Sequence, residues 1–134
     1  MKQFASGLVS EIGDPQNGIE NKQFSLVRFA TDSSIEANLG SSQNALTAIN
    51  NLDYTGGITN HGDAIISCQS TLVGSLVPTF ILMVTDGVAT TQTGLYDPPA
   101  GVAHGIASAE EVKQGGTNIE TVFINPDSAS AGGS

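Results

Sequence analysis

The order of segments along the chain predicts an α/β fold, with a doubly wound, mostly parallel sheet and helices on both faces. Three observations predict it. Segments of strand composition alternate with segments of helical period, the pattern of a sheet layered between helices. The run Thr79-Phe80-Ile81-Leu82-Met83-Val84-Thr85 is almost wholly apolar, as expected of a strand covered on both sides. No internal repeat and no linker splits the 134 residues, a length that suits one domain rather than two.

Met1, Phe4, Ala5, Leu8 and Ile12 recur at three- and four-residue steps and predict an amphipathic first helix. Gly13 and Asp14-Pro15 end it, the glycine as a left-handed cap and the proline as a residue that cannot continue. After the Asn17-Gly18 turn signal, Phe24 to Ala30 is rich in aromatic and β-branched residues and reads as a strand. Thr31-Asp32-Ser33 turns the chain, and Ser34 to Leu39 alternates like a half-buried edge strand. Ser41 or Ser42 caps a helix whose apolar stripe is Ala45, Leu46, Ile49 and Leu52. The next helix starts near Asn60 and carries Ala64, Ile65, Cys68 and Leu72 on its inner face. Beyond the apolar strand, Gly87 to Gly101 is Gly/Thr/Pro-rich and long enough to suggest a functional loop. A helix from Ala103 to Gln114, stopped by Gly115-Gly116, and a strand from Ile119 to Ile124 complete the domain, 1–126. Residues 127–134 read as a flexible, low-complexity tail.

Composition narrows the function. Thirteen acids against four bases give a net charge of −9, a surface that repels phosphate backbones and excludes nucleic acid as the expected partner. The longest apolar run, Val77 to Val84, is too short to cross a membrane and is interrupted by Pro78 and Thr79. The first residues lack the pattern of a signal peptide. The single cysteine, Cys68, forms no internal disulfide, and its place beside Ile65 and Leu72 on a helix face predicts a buried thiol.

Two segments carry chemistry. Val84-Thr85-Asp86-Gly87 places an acid at the exit of a buried strand, where ligands of doubly wound sheets gather. Tyr54-Thr55-Gly56-Gly57-Ile58-Thr59-Asn60-His61-Gly62-Asp63-Ala64-Ile65 sets a glycine pair and a threonine just before a helix start. The glycines permit a tight turn, and the Thr59 hydroxyl is then available as a helix cap or as a metal ligand.

Together these segments resemble the von Willebrand factor type A domain: Gly-Gly-x-Thr-Asn-x-Gly-x-Ala-Ile, then an apolar strand ending Thr-Asp-Gly. The strand Phe24 to Phe29 and the helix Ala45 to Leu52 are similar in order, so the likeness runs from Met1 to about Ile124. The resemblance implies a Rossmann-like sheet and a metal-ion-dependent adhesion site, with Mg²⁺, Ca²⁺ or Mn²⁺ bridging the domain to a carboxylate of a protein or glycoprotein ligand. On this resemblance Thr59 and Asp86 are the metal ligands, and Gly57, Asn60, His61 and Gly87 form the ligand rim. Both expected ligands are hard oxygen donors, which suits these cations.

The family's main motif, Asp-x-Ser-x-Ser, follows its first strand, and no match exists here. Asp32-Ser33-Ser34 lacks the spacing, and Asp127-Ser128-Ala129-Ser130 has alanine where serine is needed. The resemblance therefore implies that the first, central strand and three metal ligands are missing, that Met1 is an internal methionine of a longer protein, and that cation binding by this chain is weak or absent. It also implies exposed sheet edges that permit self-association.

Other activities fit less well. Gly57 and Gly62 have the glycine spacing of a phosphate-binding loop, but Asp63 stands where lysine is required. A Gly-x-Ser-x-Gly elbow is missing, and His61 and Cys68 lie about 10 Å apart by helical rise, too far to act as a pair. The expectation is a binding module and not an enzyme, and the resemblance implies a place outside the cell or at its surface. The alternative is a metal-independent structural or interaction module of the same fold.

Overall fold

In the computed structural model, residues 2–13, 23–53, 57–73, 79–85 and 87–123 are described. They form α1 (Lys2–Gly13), β1 (Phe24–Phe29), β2 (Ser33–Gly40), α2 (Ser42–Asn50), α3 (His61–Leu72), β3 (Phe80–Thr85), α4 (Pro98–Gln114) and β4 (Asn118–Phe123). The α/β order is the expected one. The tail expected at 127–134 lies outside the described residues.

β1 and β2 pair antiparallel, with Leu26 opposite Ala37 and Phe29 opposite Ser33. The short turn between them permits no other sense, since parallel neighbours need a crossover. β3 and β4 are parallel and in unbroken register from Phe80↔Asn118 to Thr85↔Phe123, with α4 as the crossover. Among the described residues the expected mostly parallel sheet is thus two halves, one antiparallel and one parallel, with no strand pairing between them.

Helix α3 joins the halves by packing on β1, β2 and β3. It shares one layer with α4, while α2 packs on β1, β2 and α1, so helices occupy both faces. The core under α3 is Ile65, Ile81, Met83 and Val112, with Phe29, Cys68, Leu72, Ala109 and Ile119 packed against it. Burying side chains of this size contributes roughly 1.5–3 kcal/mol each. β3 departs from expectation on its second face. Ile81, Met83 and Thr85 are buried, whereas Phe80 is 50% exposed and Leu82 and Val84 are half-buried. Among the described residues only β4 and α3 pack extensively on this strand.

The caps explain the helix starts. The Ser41 hydroxyl accepts from the Asn44 amide at 3.1 Å and opens α2. The Asp97 carboxylate accepts from the Ala100 amide at 3.2 Å, and Pro98 follows at the first helical position. α4 therefore begins at Pro98, not at Ala103, and the functional loop is shorter than expected by that first turn.

Two glycines inside α4 behave oppositely. A Cβ on Gly101 would overlap the backbone of Thr90 and Thr91, which no side-chain rotation relieves. A Cβ on Gly105 would meet only the His61 Cβ, at an ordinary 3.4 Å. Alanine gains about 1 kcal/mol over glycine in a helix interior. Gly105→Ala is therefore expected to stabilise the protein by up to about that amount. Gly101→Ala is expected to destabilise it by about 2 kcal/mol, the helix gain being outweighed by overpacking. Urea denaturation of the two variants checks this, and a stabilised Gly101→Ala protein would refute the packing described.

Candidate functional site

Three loops meet at the end of the strands: 30–32 after β1, 57–60 before α3, and 87–97 after β3. Their meeting point is Thr59-Asn60. The Thr59 carbonyl accepts from the amides of Thr90 (2.8 Å) and Thr91 (3.1 Å), and the Thr59 amide donates to the Thr90 hydroxyl at 2.8 Å. The Asn60 amide donates to the Ala30 carbonyl at 2.8 Å. Gly57 adopts φ +126°, a conformation that favours glycine, and a Cβ there would also displace the Thr31 hydroxyl. The third loop is stiffened by Thr91, fully buried, whose hydroxyl donates to the Leu95 carbonyl (2.6 Å) and accepts from the Gly94 amide (2.8 Å).

The expected ligand Thr59 is half-buried, and among the described residues its hydroxyl has no hydrogen-bond partner. The capping role falls to Asn60 instead, whose Oδ1 accepts from the Asp63 amide at 3.0 Å. The second expected ligand, Asp86, lies outside the described residues. Its neighbours are placed: the Thr85 hydroxyl donates to the Gly87 carbonyl at 3.1 Å, and Gly87 has open space around it.

The four rim residues separate. Gly57 and Gly87 belong to the loops' outer turns, exposed and half-exposed. Asn60 is only 1% exposed and faces inward. His61 is half-buried as well. Its ring meets Phe29 edge-on at 5.6 Å, and its Nε2 lies 3.2 Å from the Thr85 hydroxyl. With the Thr85 proton directed at Gly87, His61 is the donor, which requires the Nε2–H tautomer.

Asp63 and His104 were not singled out by sequence. The Asp63 carboxylate meets Asn60 Nδ2 at 3.0 Å and His104 Nε2 at 3.2 Å, linking α3 to α4. The His104 ring lies directly over Gly62, where any side chain would overlap it. The Asn60-x-x-Asp63 spacing is a capping signature that could have flagged Asp63. His104 carried no local signal, because its role arises only when α4 crosses α3.

Chemically the cluster offers hydroxyl, amide and carbonyl groups, and a carboxylate, Asp63, that is already engaged by Asn60 and His104. Mg²⁺ requires about six oxygens in near-octahedral geometry. Thr59 fits that donor class but supplies one oxygen, and among the described residues no three His, Cys, Asp or Glu side chains converge on a metal position. Cys68 belongs to the core, and burial pushes its thiol above its usual value, away from the nucleophilic thiolate.

The sequence pattern that describes the von Willebrand factor type A domain matches residues 1–130. The fold is similar to that of the conserved hypothetical protein BatB from Bacteroides thetaiotaomicron, with TM-score 0.67 and 16% identity over 91% of this chain and 55% of that one. It is also similar to an aerotolerance-related membrane protein from Bacteroides fragilis, carrying multiple mutations to serine, with TM-score 0.65 and 20% identity over 91% and 56%. The chain spans about half the length of these two solved structures. No curated protein matches it in sequence.

Burial depresses the His61 pKa, because desolvation disfavours imidazolium. The unfolded state then takes up the proton first as pH falls below about 6.5. The contribution of neutral His61 is therefore complete above that pH and is lost as pH falls toward the lower folded value. NMR titration of the two histidine rings is expected to place the His61 midpoint below about 6.5, with denaturant stability falling over the same range. A His61 midpoint at or above that value would contradict the burial seen here.

Proposed function

Because the chain belongs to the von Willebrand factor type A domain family, we propose that it is a protein-interaction module whose ligand face is the loop cluster around Thr59. The observation that carries the reading is the division of labour between Thr59 and Asn60. Asn60 caps α3, which leaves the Thr59 hydroxyl uncommitted among the described residues, at a point held from two sides by backbone hydrogen bonds. A threonine needed only to start the helix would have spent its hydroxyl there.

The finer proposal is that Thr59 and Asp86 contact a divalent cation, Mg²⁺, Ca²⁺ or Mn²⁺, with water and a partner carboxylate completing the shell in the complete protein. When bound, the cation supplies the local positive charge that an acidic partner needs on a chain of net charge −9. The chain's own residues do the rest: the Thr90 and Thr91 amides fix the Thr59 peptide, and Thr85 fixes the Gly87 turn. The partner is proposed to be a protein or glycoprotein. The setting is proposed to be the cell envelope or surface, supported by the description of the Bacteroides fragilis protein as a membrane protein. Among the described residues no helix is long and apolar enough to cross a membrane.

Calorimetric titration of the complete protein with MgCl₂ tests the finer proposal. Saturable binding is expected, weakened about tenfold or more by Thr59→Ala and by Asp86→Ala, and largely kept by Thr59→Ser, which retains the oxygen. Loss of no affinity in either alanine variant removes both residues from the cation's shell. Partner binding that survives a chelator would instead favour the metal-independent interaction module.

A further inference from the structure

The Asn60 side chain does more than a cap requires. Capping uses only Oδ1, and serine, threonine or aspartate would serve equally. In this protein Nδ2 also donates to the Thr31 carbonyl (3.3 Å), to the Gln92 carbonyl (3.3 Å) and to the Asp63 carboxylate (3.0 Å). Thr31 follows β1, and Gln92 belongs to the loop between β3 and α4, so one amide reaches both halves of the molecule from the start of α3.

Two hydrogens serve three acceptors, so at least one is shared. Only a carboxamide offers an acceptor for the cap and two donors for the loops within one short side chain. Aspartate would cap the helix but present oxygens to two carbonyls and to the Asp63 carboxylate. Serine would cap and reach neither loop. The residue type is therefore dictated by the ties and not by the cap. Burial to 1% exposure makes those ties costly to lose, since water does not readily replace them. Asp63 is held in turn by His104 of α4.

We propose that Asn60 is the positioning residue of the ligand face: it holds the 30–32, 57–60 and 90–92 loops in register, and through them it fixes where the Thr59 hydroxyl stands. This deepens the interaction-module reading and rests on it for its functional meaning, although the ties themselves are testable without a ligand.

The test is NMR-detected hydrogen exchange on the full chain, comparing the wild type with Asn60→Ser. Serine keeps the cap and removes the loop ties. Amides of Thr90 and Thr91, which donate to the Thr59 carbonyl, are expected to exchange about tenfold faster in the variant. Amides of β3 and β4 should be unchanged. Equal acceleration at all sites would reduce Asn60 to a contributor to general stability, and no acceleration at Thr90 and Thr91 would also overturn the proposal. Should the variant fail to fold, the wild type still decides. The Asn60 Nδ2 hydrogens are expected to exchange well below the rate of those on exposed Asn38, and equal rates would sink the tie. A parallel MgCl₂ titration, read at the Thr59 and Gly87 amides, keeps the two ideas apart. No Mg²⁺-dependent shift in the wild type counts against cation binding by this chain, and the exchange data still judge Asn60.

Discussion

Among the described residues the two sheets share no strand pairing, and α3 is the element that holds them side by side. Its inner face contributes Ile65 and Cys68 to a core that also takes Phe29 from one half and Ile81 and Met83 from the other. At its first residue, His61 repeats the arrangement on a smaller scale, touching Phe29 at the end of β1 and Thr85 at the end of β3. One residue earlier, Asn60 ties the loops that leave those strands. The start of α3 is therefore where the two halves are both packed and stitched. The proposed ligand face inherits its geometry from that junction.

The strength of this junction comes from mixing two kinds of interaction. Apolar contact under α3 is non-directional, and sets the distance between the halves without setting their register. Hydrogen bonds are directional, and those around Thr59-Asn60 run almost entirely to backbone groups, whose positions follow the chain path. Thr59 bonded to Thr90 and Thr91, with Asn60 bonded to Ala30, Thr31 and Gln92, leaves little freedom to slide one half past the other. Gly101 lets α4 lie against the same Thr90-Thr91 segment from behind. The helix thereby backs the loop that holds the threonine.

Much of this was legible in sequence, and the parts that were not have identifiable reasons. The alternation of elements and the Ser41 cap are local signals, and both are present in the structure; Cys68 packs against the core as its helix face predicts, although it is only partly buried. The start of α4 was missed because Asp97-Pro98-Pro99 has the composition of a loop, although an aspartate cap followed by proline is also how a helix opens. The apolar run of β3 alone predicts cover on both faces. Its register shows one deeply buried face and one bearing half-exposed Phe80, a distinction that hydrophobicity without alternation cannot make. At the site, the pattern sets Thr59 and Asn60 just before α3, where the structure has them, but puts the Asn60 side chain on the rim, whereas it is buried. Its burial depends on Thr31 and Gln92, about thirty residues away on either side.

The chemistry of the ties has an electrostatic logic that follows from the chain's acidity. A domain with net charge −9 that holds its loops by carboxylates would add repulsion at the place where a cation or an acidic partner must be accommodated in a defined geometry. Here the joints are a carboxamide, threonine hydroxyls and backbone groups, all neutral. The one carboxylate in the described network, Asp63, sits in the first turn of α3, where the helix dipole favours negative charge, and His104 lies beside it. Scaffold and recognition are thus separated by charge type. Neutral groups carry most of the loop ties, so a charged group or cation that meets a partner at the proposed face would act on a frame held largely by uncharged hydrogen bonds. Asn60, needed as an amide for its two donors, is also the residue type that leaves the field at the neighbouring Thr59 unchanged.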